Sequence, residues 1–539
     1  MISENKDLST CLRDFARSDP SRLAVTSPAG DLTAAELDEL SDRCAAGLHH
    51  AGIVRGTRTA LMVTPGPAFL ILTFGLVRVG AVLVVVDPGM GWDNLKACLG
   101  EAAPEAFVGI TRAHFGRLLF GWGRSTIRTC VSVGAVRLPG WIPFGRLLKP
   151  TPGNFRPPEL DPDQVAAIVF TSGSTGVPKG VVYTHRMFAA QVSLLQREFG
   201  ISAGEVDLAT FPLFALFDAA WQVTSVFPRM DFTRPAHADP REIVNIVTRS
   251  GATHMFGSPA LLNRLGRYCE KRGIRLPGLR RVLSAGAPVP DHVLVRLQNM
   301  LGNEAQVYTP YGATEALPVC SICGAERLAE NPAGRGVCLG RPLKGVGLAV
   351  IRISDSPIPE WSDDLPVPDG EVGELVVWGE NVSRCYYQRP EADRLAKIHG
   401  SGDLIRHRMG DLGFVDAKGR VWFCGRKSHR VVTERGTLFT IPCESVFNQH
   451  PAVFRTALVG LGPAPHQKPV LCVELEDKRR WEGDGKIGQE LLELGATDPQ
   501  TAEIREILFH RGFPVDIRHN AKIFREKLAI WAEKELRAR

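Results

Sequence analysis

The chain has 539 residues, more than one ordinary domain, so two or more hydrophobic cores are expected. Its 44% hydrophobic and 23% charged residues are those of a soluble globular protein, and a net charge of +6 is small for this length. No stretch joins a basic stripe to interleaved aromatics, which excludes nucleic acid as the expected partner, and the twelve cysteines form no disulfide framework.

The N-terminus, "MISENKDLSTCLRDFA", has neither the charge pattern nor the apolar core of a signal peptide, so a reducing, cytoplasmic setting is expected. Residues 68–86, "AFLILTFGLVRVGAVLVVV", are long and apolar enough on paper to cross a bilayer. Arg78 and Gly80 interrupt the run, however, and its second half is β-branched and ends in a turn. A buried helix followed by a buried parallel strand is expected instead. Residues 106–158 hold no acidic residue but carry Arg112, Arg117, Arg124, Arg128, Arg137, Arg146 and Lys149 among bulky apolar groups. Two readings stand: a basic, partly apolar flap that meets lipid, or a solvated insertion with an ordinary charge bias. The second is favoured, so peripheral membrane contact is not the expectation.

The runs "TALMV", "AVLVVVD", "AAIVFTS", "ATHMFGS", "RRVLSAG" and "AQVYTPYG" alternate with helical patterns. They predict βα units of a mainly parallel sheet, with ligands beyond the strand C-termini. The third run delivers the chain into "TSGSTGVPKG". There Gly173, Gly176 and Gly180 let the backbone close around a ligand, Thr171, Ser172, Ser174 and Thr175 offer hydroxyls, and Lys179 adds charge. This is a phosphate cradle but not a Walker loop, because Pro178 precedes the lysine and Gly180 follows it. Farther on, "FPLFALFDAAWQV" spaces Phe211, Phe214, Phe217 and Trp221 roughly as a helix does. They could line a long acyl pocket or simply pack a core. Cys320 and Cys323 form a lone C-x-x-C, read as ordinary cysteines. From about Leu339 to 426 the texture shifts to short alternating strands, a β-rich subdomain. A hinge is placed near Arg426–Ser428.

Five ordered stretches resemble the adenylate-forming superfamily of acyl-CoA ligases, adenylation domains and luciferases: "FTSGSTGVPKG", "SAGAPVP" (284–290), "YTPYGATEA" (308–316), "RMGDLGF" (408–414) and "FCGRKSHR" (423–430). The resemblance implies a large N-terminal α/β domain of mainly parallel sheets (1–426) and a small, mobile α+β C-terminal domain (427–539). It also implies ATP as cosubstrate and Mg2+ as cofactor. Carried over by motif, Thr171 to Gly176 and Lys179 face the phosphates, and Gly286, Ala287 and Pro288 form the adenine-side loop. Tyr311, Gly312 and Thr314 belong to the nucleotide site, Tyr311 stacking on adenine, while Glu315 holds Mg2+. Asp411 takes the ribose hydroxyls, Arg426 sits near ribose and phosphate, and Lys522 in "RHNAKIFREKL" bridges substrate carboxylate and α-phosphate.

The chain departs from the ligases where thioester formation is served. Ala215 stands where fatty acyl-CoA ligases commonly carry a gating histidine, Ser428 replaces the hinge aspartate, and Asn520-Ala521 precede the lysine. "GRKSHRV" and "RHNAKIFREKLA" resemble the OleC β-lactone synthetases of bacterial olefin biosynthesis. That branch implies adenylation of a lipid-like 2-alkyl-3-hydroxyalkanoic acid and closure by its own 3-hydroxyl, with Phe214, Ala215, Phe217 and Trp221 as pocket candidates. It also implies association with other olefin-pathway enzymes. His185, His429 and His519 are candidate bases by proximity alone. A long-chain acyl-CoA ligase and a non-catalytic nucleotide-binding subunit are the alternatives.

Overall fold

The computed structural model describes residues 6–136, 138–150, 155–171, 178–330, 332, 334–477, 485–515 and 523–538. Two seven-stranded sheets carry the first three hundred residues. One runs, in spatial order, Trp141–Pro143, Thr129–Val133, Ala106–Ile110, Arg58–Met62, Val82–Val85, Val165–Phe170 and Gly180–Thr184. Every neighbouring pair in it is parallel except the last. The other runs Gln306–Tyr308, Arg281–Leu283, His254–Phe256, Val206–Leu208, Thr224–Val226, Leu23–Thr26 and Leu32–Thr33, again parallel but for its final pair. All six runs read as parallel strands occupy these sheets.

Residues 68–86 fold as expected, into the helix Pro67–Arg78 and the strand Val82–Val85. Arg78 can be buried because Asp38 and Asp42 of the helix Ala34–His50, the latter 2.8 Å away, pair with its guanidinium. Among the described residues no helix is long and apolar enough to cross a membrane. All twelve cysteines are free; Cys323 serves as the N-cap of the helix Gly324–Ala329.

A third sheet of eight strands is mainly antiparallel. It begins at Tyr311–Ala313, upstream of the texture change near Leu339, so the Tyr-Gly-x-Thr-Glu signature stands on its first strand and the turn after it. Short strands that alternate only weakly hid this start. Its two central strands, Ile405–Val415 and Val421–Arg426, pair so that Asp411 lies opposite Arg426. Gly410 and Gly425 both sit at positive φ, +65° and +127°, which explains glycine before each of these functional residues. Beyond Arg426 the chain builds a separate three-stranded sheet, Val453–Leu461, Lys468–Leu475 and Glu506–Phe509. The helices Thr440–Phe447, Gly485–Ala496 and Arg525–Ala538 cover it around cores of its own.

Candidate active site

A cavity of about 830 Å³ opens where the ends of the parallel strands meet the antiparallel sheet. Its polar end is bounded by Thr171, Lys179, Gly286, Gly312, Thr314, Glu315, Gly410 and Arg426. These come from all five motifs, spread between residues 170 and 430 of the sequence, and the fold gathers them on one wall. Ser172, Gly173, Ser174, Thr175, Gly176 and Lys522 lie outside the described residues, as does His519. Ala287 and Pro288 follow Gly286 but do not reach the cavity wall.

Asp411 and Tyr311 do not line the cavity themselves but adjoin Gly410 and Gly312, which do; the acidic groups of this end are held by specific donors. Glu315 Oε1 accepts a hydrogen bond from the Tyr386 hydroxyl at 2.7 Å. The Lys179 and Lys397 ammonium groups lie 4.9 and 5.5 Å from the Tyr386 ring centroid. Asp411 Oδ2 accepts from the Tyr311 hydroxyl at 2.6 Å, and its Oδ1 pairs with Arg426 Nε at 3.0 Å. Asp411, then Tyr311 and Glu315, oppose the cost of burying Arg426 and raise its pKa. Burial drives the Tyr386 and Tyr311 phenols well up, so both stay neutral donors. Lys397 is fully buried, which pulls its ammonium down to about 8 against the pull of Glu315 and Asp393. His407 lines the cavity beside these cations; burial, then Lys397, Lys179 and Arg426, hold it neutral.

Tyr386, Lys397 and His407 escaped the sequence reading. Tyr386 and Lys397 stand in no motif, and nothing local marks a tyrosine that supports a carboxylate seventy residues earlier. His407 stands four residues before Asp411 on the strand Ile405–Val415, but the bulge around Gly410 breaks the alternation that would have tied the two together.

The other end of the cavity is apolar. Leu61, Phe69, Val85, Phe188, Phe214, Phe217 and Phe256 line it, and Phe214 packs on Phe256 with ring centroids 4.9 Å apart. The helix Ala215–Trp221 supplies this wall, but only two of the four pocket candidates reach the cavity. Phe214 and Phe217 face the cavity. Ala215 and Trp221 do not: both are buried in the core, and the Trp221 indole donates to the Val192 carbonyl at 3.1 Å. Neither His185 nor His429 reaches the cavity; His185 is buried at the start of its helix, and His429 lies 3.2 Å from Glu526.

Residues 12–387 match the model of a family described as "AMP-binding enzyme". The chain is 47% identical to an olefin β-lactone synthetase of Xanthomonas campestris pv. campestris and 48% identical to one of Stenotrophomonas maltophilia. Each alignment covers 98% of both chains. It is 25% identical, over 85% of its length and 86% of theirs, to the long-chain-fatty-acid–CoA ligase FadD13 of Mycobacterium tuberculosis. Among solved structures it is similar to the anthranilate CoA ligase AuaEII in complex with anthranoyl-AMP (TM-score 0.81, 18% identity, 99% of each chain). It is also similar to ATP-bound MatB from Rhodopseudomonas palustris (TM-score 0.80, 21% identity, 98% and 99%). The fold is thus that of the adenylate-forming enzymes, with a large N-terminal and a smaller C-terminal domain.

Proposed function

Because this chain belongs to the AMP-binding enzyme family, we propose that it activates a long-chain 2-alkyl-3-hydroxyalkanoic acid with ATP and closes the acyl-adenylate to a β-lactone. The observation that carries this reading is near-half identity, over essentially the whole chain, to two olefin β-lactone synthetases, against a quarter to a CoA ligase. The cavity supports it: a cationic end suited to a nucleotide runs into an apolar end suited to alkyl chains.

In the first step a substrate carboxylate oxygen attacks the α-phosphorus and pyrophosphate leaves. Asp411 takes the ribose hydroxyls, pre-oriented by Tyr311 and Arg426, and the Tyr311 ring serves the adenine. Lys179 and Lys522 neutralise phosphate and carboxylate charge, so the in-line displacement is promoted by position and field and needs no protein nucleophile. Glu315 suits Mg2+ and would hold it: it is a hard oxygen ligand on the cavity wall, one oxygen held by Tyr386. When bound, the ion would offset phosphate charge.

In the second step the 3-hydroxyl oxygen attacks the acyl carbon, the bond to the AMP oxygen breaks, and the hydroxyl proton is lost. Both reacting groups lie in one molecule, so the protein has to hold the chain folded and keep water away from the adenylate. The apolar end does both. We place the boundary between the two domains at 426/427, the cosubstrate as ATP, the setting as the cytoplasm, and association with other olefin-pathway enzymes as a consequence of this reading.

The deciding experiment incubates purified protein with ATP, Mg2+ and a long-chain 2-alkyl-3-hydroxy acid, without CoA, and follows the products by proton NMR. β-Lactone ring protons with matching AMP support the reading. A thioester that forms only once CoA is added overturns it.

A further inference from the structure

The helix Thr111–Phe120 turns its apolar side outward. Inward it buries His114, whose Nε2 lies 2.9 Å from the Val131 carbonyl and whose ring stacks on Trp141 at 4.2 Å. Outward it presents Arg112, Phe115, Leu118 and Leu119, whose spacing puts them on one face. The three apolar residues are 51%, 55% and 79% exposed. Trp92, 52% exposed, joins the helix by stacking on Phe120 at 4.9 Å. Of the eleven large hydrophobic side chains exposed among the described residues, five lie between Trp92 and Val136. Scattered exposed apolar residues need no explanation; this concentration does.

Charge and position narrow the occupant. Residues 106–158 contain no Asp or Glu, and Arg112 and Arg124 are exposed; Arg128, also exposed, lies at the opposite end of the strands beside Glu105 and is not part of this face. The adjoining acids come from other elements: Asp93 beside Trp92, and Asp231, whose carboxyl Thr233 lowers first and Arg234 and Arg112 lower through charge. Asp231 immediately precedes Phe232, which lines the apolar end of the cavity. Trp92, the helix and Val136 follow the strands Val82–Val85, Ala106–Ile110 and Thr129–Val133, which run in the same direction as Val165–Phe170, the strand leading into the phosphate loop. The exposed face and the phosphate loop therefore leave the sheet from the same edge.

We propose that this face is a docking surface for an anionic lipid bilayer, with Phe115, Leu118, Leu119 and Trp92 entering the acyl boundary and the arginines meeting headgroup phosphates. A segment with cations and no acid of its own complements a uniformly negative surface. The use of the surface, taking up a long-chain acid directly from the bilayer, rests on the proposed function. The surface itself does not.

The test is flotation of the full-length protein with phosphatidylcholine vesicles and with vesicles that also contain phosphatidylglycerol, in the absence of ATP and substrate. The protein should float with the anionic vesicles only. Phe115→Ser/Leu119→Ser and, independently, Arg112→Glu/Arg124→Glu should each weaken partitioning roughly tenfold or more. All these side chains are exposed, and the charge variant keeps the test open should the apolar one misfold. Absence of flotation with anionic vesicles, equal flotation with neutral ones, or variants that float like the parent would overturn the proposal. So would a concentration-dependent dimer abolished by the Phe115/Leu119 pair, which would assign the face to a second copy. No catalysis is read out, so a failed lactone assay and a failed flotation are separate results.

Discussion

The two ends of the cavity are stabilised in opposite ways. At the nucleotide end each acidic group is tied down by direction: Asp411 by Tyr311 and Arg426, Glu315 by Tyr386. At the acyl end rings lie on rings, Phe214 on Phe256 and, 5.4 Å away, on Phe211, without a hydrogen bond to fix any of them. On the proposed function, the difference follows from what each end must do. Charges that act on a transition state have to be oriented beforehand, because reorienting them during reaction raises the barrier. An alkyl chain asks only for volume, and many apolar sequences of similar volume provide that.

The comparison is tested most severely at the polar end. Lys522→Ala should lower adenylate formation by about a thousandfold or more while ATP still binds, since a charge used in the transition state is lost but not the nucleotide's main contacts. Pyrophosphate release at the parent rate would remove Lys522 from the chemistry. Asp411→Ala should weaken ATP by roughly a hundredfold and leave affinity for the acid unchanged, because it also strips Arg426 and Tyr311 of their partner. Titration calorimetry with each ligand separately checks this, and parent-like ATP affinity would contradict the ribose assignment.

The same contrast explains what could be read from the sequence. The parallel strands were legible because each is a short β-branched run closed by a turn residue, and the polar end was legible because directional chemistry restricts residue type at fixed spacing. The acyl wall was not. Phe217 and Trp221 look alike in sequence, being aromatic and one helical turn apart, yet one faces the cavity and the other donates its indole N–H into the core. Periodicity marks the apolar face of a helix; it does not say whether packed protein or an empty space lies opposite. Tyr386 was invisible for a related reason, since only the fold brings it to Glu315. Substitution separates the two aromatics. Trp221→Ala should cost about 3–5 kcal/mol of stability with chain-length preference intact. Phe217→Ala should cost less and shift preference toward bulkier acids. Thermal melts and a substrate series decide, and a shift in preference from Trp221→Ala alone would reverse the two assignments.

The smallest expected effect concerns what lies behind the acyl wall. The helix that presents Phe214 and Phe217 to the cavity also buries Asp218, and Asp207 is buried on the neighbouring strand. Ser225 donates to Asp218 Oδ2 at 2.5 Å. His254 stands 3.5 Å from Asp207, its other nitrogen 3.4 Å from Glu205, which Arg281 already neutralises at 2.6 Å. With no cation among the described residues left over for two carboxyls, burial raises both, Asp218 to about 7 and Asp207 well above its usual range, and the pair retains a proton. Unfolded, each would titrate near 3.9. The folded chain therefore binds the extra proton across the interval between the unfolded and folded values. Stability from this pair is full below about pH 4 and declines as pH rises through 7. Asp218→Asn, which supplies a donor at every pH and lets Asp207 ionise against it, should flatten the fall in melting temperature between pH 5 and 8 by a few degrees at most, about what one shifted group can contribute in a chain this long. Superimposable curves for parent and variant would mean the pair does not hold its proton. The acyl end would then rest on volume alone, rather than on a polar contact hidden one layer beneath it.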